Sequence, residues 1–134
     1  MEQKLNIAIN ELAKEVKLLN KALDKINNQI KLTEKELTKT PGFYTCLVKE
    51  DLILVKEEED IKSFIGWGNI KNSRRILFLT EKNDKELLRK PLIEMDMQTR
   101  VEYHKYIPQL INHINESVKV WIKHNDEIQS GVKL

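Results

Sequence analysis

The sequence predicts an α+β chain. It comprises a long N-terminal heptad helix of coiled-coil type, a small antiparallel β-sheet of four to five strands, and one or two C-terminal helices. Three observations predict it. Residues 1–38 contain no glycine and no proline and hold one unbroken heptad. Residues 43–95 divide into short apolar runs separated by turn formers. Residues 99–130 return to a helical period. At 134 residues the chain has room for one small domain and an extended helix, and not for two full cores. The expected division is an oligomerisation helix at 1–40 and a small α+β domain at 41–134.

The first element rests on spacing. Leu5, Ile9, Leu12, Val16, Leu19, Leu23, Ile26, Ile30, Thr33 and Leu37 stand alternately four and three residues apart. Ile9, Val16, Leu23, Ile30 and Leu37 fall at a, and Leu5, Leu12, Leu19, Ile26 and Thr33 at d. Nine of these ten seam positions are apolar, which composition alone would give in a given chain about one time in a hundred. The seam is about 50 Å long at 1.5 Å per residue, more than one small domain can cover. It needs a second copy of the chain or the chain's own C-terminal helix. Ile and Val at a with mostly Leu at d favour two parallel strands. The flanking positions carry no complementary ion pairs to fix that orientation, and Ala8, Ala13 and Ala22 widen the buried face. Thr40-Pro41-Gly42 ends the helix.

In the middle, Phe43–Lys49 and Leu52–Glu57 read as strands about a Glu50-Asp51 turn. Phe64–Ile70 and Arg75–Thr80 read as a hairpin about Lys71-Asn-Ser-Arg74, and Pro91–Met95 as an edge strand, where proline is tolerated. Thr99-Arg-Val-Glu102 matches a capping box opening a short helix. Pro108 then kinks that helix or begins a second one. Ile107, Ile111, Ile114, Val118, Trp121, Asn125 and Ile128 continue the period, with Leu110 and Ile122 broadening it and Gly131 as its stop. In layout alone, long helix, hairpins and helix resemble prefoldin-type holdase subunits, without a motif match.

Composition narrows the function classes. Charged residues make up 33% and apolar residues 40%, which excludes both a disordered chain and a membrane-spanning one. A polar N-terminus without a secretory signal and a lone Cys46 point to the reducing cytoplasm. The net charge of +2 implies no nucleic acid by itself, yet residues 71–90 carry seven basic and three acidic side chains. Trp67, Lys71, Arg74 and Arg75, with Arg89 and Lys90, are therefore the candidate nucleic-acid contacts: an exposed Trp would stack on a base while the cations meet phosphates. Gly66 and Gly68 lie on the strand face opposite Trp67 and would leave room for close approach. The bland reading makes Trp67 a core residue and the cations a solvated turn. Glu57-Glu-Glu-Asp60 reads as a solvated connection. His104, His113 and His124 have no metal-ligand spacing, no cofactor motif is present, and no titratable pair is placed for acid–base work. The expectation is a non-enzymatic, self-associating interaction protein, a homodimer or higher, without cofactor or metal. Its seam is Leu5, Ile9, Leu12, Val16, Leu19, Leu23, Ile26, Ile30 and Leu37, and its protein partner is unspecified.

Overall fold

The computed structural model describes residues 2–39 and 50–132, with the side chains of 121 and 125–132 excepted. The expected strand at Phe43–Lys49, the Thr40-Pro41-Gly42 stop, Cys46 and the side chains of Trp121, Asn125 and Ile128 lie outside the described residues. The architecture is α+β, as the sequence predicts. Helix α1 (Glu2–Lys39) precedes strands β1 (Asp51–Glu58), β2 (Ile61–Ile70), β3 (Ser73–Lys82) and β4 (Lys85–Pro91). A 3-10 turn (Leu92–Glu94), helix α2 (Met97–Tyr103), a second 3-10 turn (His104–Tyr106) and helix α3 (Ile107–Val132) follow.

The four strands form one antiparallel meander in the order β1-β2-β3-β4. All three hairpins close with two residues in the left-handed region: Glu59 and Asp60, Lys71 and Asn72, Asn83 and Asp84. This is the type I′ geometry whose twist matches that of the strands. The β2–β3 turn is thus shorter than the four-residue Lys71–Arg74 turn read from sequence. The Glu57–Asp60 run forms the end of β1 and a hairpin tip.

The edge strand also differs from expectation. Residues 85–91 supply it, and Pro91 ends it; Leu92–Glu94 turn away from the sheet. Asp96 opens α2 by accepting the Thr99 N–H at 2.8 Å, so the cap lies three residues before the Thr99 box. A second helix begins at Ile107, with Pro108 in its first turn, where a missing N–H is tolerated. That helix runs one residue past Gly131.

Register puts Ile65 and Trp67 opposite Phe78 and Ile76 on one sheet face. That face meets Ile30, Leu92, Tyr103, Ile107, Leu110 and Ile114 in a single core. The Tyr103 ring stands edge-on to Phe78, with centroids 4.9 Å apart. The two long helices do not run along each other. α1 docks on β3, the first 3-10 turn and α2, whereas α3 docks on β1 and β2. The prefoldin-type layout therefore lacks its paired helical arms among the described residues.

Candidate functional site

The heptad seam divides at Leu23. From there to Leu37 the stripe packs on the chain's own domain. Ile30 is fully buried; Leu23, Ile26, Asn27, Thr33 and Leu37 are half-buried. Two polar contacts fix this half. Asn27 Oδ1 accepts from Arg100 Nη1 at 2.9 Å, tying α1 to α2. Glu34, buried, accepts from Arg75 Nε at 2.7 Å and from the Ile76 N–H at 3.0 Å. β4 ends at Pro91 opposite Leu77, so no strand continues beside Ile76, and the Glu34 carboxylate takes that backbone donor instead.

The other half of α1 is different. Every residue from Glu2 to Ala22 is exposed. Leu5, Ile9, Leu12, Val16 and Leu19 stand 60%, 51%, 61%, 44% and 50% exposed, a continuous apolar ridge over about 20 Å of helix that the described residues do not cover. The opposite line of α1 holds Ile7, Leu18 and Leu32, also exposed. Glu11, Lys14, Lys21 and Lys25 interrupt it, so it forms no second seam.

The basic residues gather only in part. Lys71, Arg75, Arg89 and Lys90 line one shallow groove of about 460 Å³ together with Ile70, Ser73, Pro91 and Glu94. Two of the four cations are already paired: Arg75 with Glu34, and Arg89 with Glu50 through both its terminal nitrogens at 2.7 and 2.8 Å. Arg89 Nε also donates to Glu86. These hydrogen bonds hold both guanidinium groups above their usual range. Lys71 and Lys90 are exposed and have no ion pair among the described residues. Arg74 is half-buried. Trp67 is 1% exposed and belongs to the core; it presents no ring to a base, which corrects the stacking role read for it.

No family model, curated protein or solved structure matches the chain.

Gly66 and Gly68 do provide close approach, but to the chain itself. A Cβ on Gly68 would stand 2.8 Å from Glu50 Cδ and 2.9 Å from Leu77 Cδ2. Glu50 arches over Gly68, accepting the Asn69 N–H at 3.1 Å while bound to Arg89. Arg89 chiefly, by hydrogen bonding, holds the Glu50 carboxyl below its ordinary range. On the core face, buried Asp51 accepts from Ser117 Oγ at 2.8 Å, with His113 Nε2 at 3.9 Å, and joins β1 to α3. Among the described residues no group of three His, Cys, Asp or Glu is placed to hold a metal, and no helix is long and apolar enough to cross a membrane. Glu34, Glu50 and Asp51 carry structural roles that sequence reasoning missed. Their partners lie 41, 39 and 66 residues away, and nothing local marks them.

Proposed function

We propose that this chain is a non-enzymatic, self-associating interaction protein, joined to a second copy through the N-terminal half of α1 and carrying its sheet and C-terminal helices as the module so brought together. One observation carries the reading: five seam side chains at a and d positions remain exposed on a helix whose other half is docked. Two such ridges facing each other bury on the order of 1,000 Å², the lower bound of a specific interface. Ile and Val at a with Leu at d favour two strands, and the charged opposite line discourages more.

Light scattering on the full chain tests this. The expected mass is twice 15.8 kDa at micromolar concentration, falling to one chain in Leu12→Asp and Val16→Asp with unchanged thermal unfolding of the domain. A monomer at every concentration up to the millimolar range refutes it. Binding of nucleic acid by the groove ranks second, because four of the six candidate residues meet there. Two of them are neutralised, and the aromatic platform is buried. Retardation of DNA at low salt that disappears in Lys71→Ala/Lys90→Ala would reverse this order.

A further inference from the structure

Resting on that reading, the geometry points to an antiparallel pairing of two α1 helices, with residue i of one beside residue 28 − i of the other. The stripe that faces a second helix at residues 5–19 is the same stripe that faces the chain's own domain at residues 23–37. In an ideal helix the seam drifts by about 20° per heptad, or about 50° between the centres of the two halves. That is less than the arc covered by Leu23, Ile26, Asn27, Ile30 and Glu34.

A parallel partner continuing past Leu23 meets Leu92, Tyr103 and Arg100, which line the core or hold α1 from that side. Its own domain would claim the same space at the same level, between helices only about 10 Å apart. An antiparallel partner meets this conflict only at its tip. The exposed segment, Glu2–Ala22, is about 30 Å long, so each domain overlaps no more than the first turn of the other helix.

The register follows from filling the seam. Sliding the helices so that positions add to 28 stacks Ile9 on Leu19 and Leu12 on Val16, each twice, and sets Leu5 on the half of Leu23 that the domain leaves open at either end, giving six apolar a–d layers. Sliding by one heptad toward the tips leaves four such layers and sets Leu19 against Glu2. Sliding the other way drives Ile9 against the already covered Ile26. In the six-layer register Ala13 faces Ala13 across the two-fold axis on one flank, and Glu15 faces Glu15 on the other. The alanines allow close approach; the paired glutamates oppose association weakly.

Cysteine crosslinking of the full chain in a Cys46→Ser background decides between orientations. Ala13→Cys is expected to form a disulfide-linked dimer under mild oxidation. Glu2→Cys is expected not to, because its two copies lie about 36 Å apart along the axis. Glu15→Gln is expected to tighten the dimer about twofold. Linkage in the Glu2→Cys variant alone, in both variants, or in neither when the samples scatter as dimers overturns the antiparallel register and leaves self-association standing. A full chain that scatters only as a monomer overturns the reading beneath it.

Discussion

Glu34→Ala undermines the docked half of α1, on which both the exposed ridge and the pairing geometry depend. The carboxylate is 12% exposed and accepts two good hydrogen bonds, from Arg75 Nε and the Ile76 N–H, with Arg75 Nη2 farther off at 3.4 Å. Removing it leaves a buried backbone donor unsatisfied, worth about 1–3 kcal/mol. Breaking a buried pair from one side is worth about 3–5 kcal/mol, but the Arg75 side chain is 34% exposed, and water takes over part of its solvation. The expected loss is therefore about 2–4 kcal/mol. Glu34→Gln keeps an acceptor for Ile76 and should lose about half as much. Urea denaturation followed by tryptophan fluorescence reads both, Trp67 being in the core that α1 covers. The Arg75→Ala background adds a coupling energy of at least about 1 kcal/mol, since the two residues share one contact. A Glu34→Ala protein within about 0.5 kcal/mol of the parent would show that α1 is not held on β3 by this carboxylate, and the steric case against parallel helices would lose its anchor.

Three further outcomes are expected. Gly68→Ala must displace either the Glu50 carboxylate or Leu77, and Gly66→Ala meets Leu52 and the immobile Asp51 carbonyl oxygen, 2.8 Å away; each should lower stability by about 1–3 kcal/mol, with Gly66 the worse, and wild-type melting of both would refute the packing described. Because Arg89 holds the Glu50 carboxyl below its ordinary range, its contribution is fully present above the unfolded-state value and drains away as pH falls through the folded-state value. Glu50→Gln should flatten part of the acid slope between about pH 5 and 3 in thermal melts, and identical slopes would dismiss the linkage. Lys71→Asn with Asn72→Gly supplies the residues that a type I′ turn prefers at two left-handed positions and should raise stability by about 0.5–1 kcal/mol; a loss would contradict the turn geometry.

Most of the architecture was legible because period and punctuation are local. Alternating spacings of three and four residues give a helix with one apolar stripe, and that follows from 3.6 residues per turn whatever lies against it. The same logic located β2 and β3, where Ile65 and Trp67 alternate with Gly66 and Gly68. Local pattern does not tell which face turns inward. The glycine face looked open in sequence because glycine has no side chain, yet Glu50, bound to Arg89 39 residues away, fills it. β4 was hidden for another reason. Lys85-Glu-Leu-Leu-Arg-Lys90 is rich in charge, as suits an edge that must not pair with a neighbour, and has no β-branched or aromatic residue, so it lacked a strand signature while Pro91 drew attention to the wrong side of the element.

The seam shows where sequence reading stops for a physical reason. A heptad specifies that a stripe must be covered and does not say by what. Here one uninterrupted helix carries the same a and d pattern through two environments, the domain from Leu23 onward and solvent before it. At the e positions a charged residue enters only at Glu34, but the surroundings change sooner. Asn27 and Glu34 are engaged by Arg100, Arg75 and Ile76, whereas Asn6, Ala13 and Asn20, equivalent in the heptad, stand exposed. The docked half is thus fixed by directional bonds as well as apolar packing, and in the proposed dimer the exposed half relies on apolar contact alone. One continuous helix carries both halves, so the docked half sets the direction in which the exposed ridge leaves the domain, and in the proposed dimer that direction limits how two copies can meet.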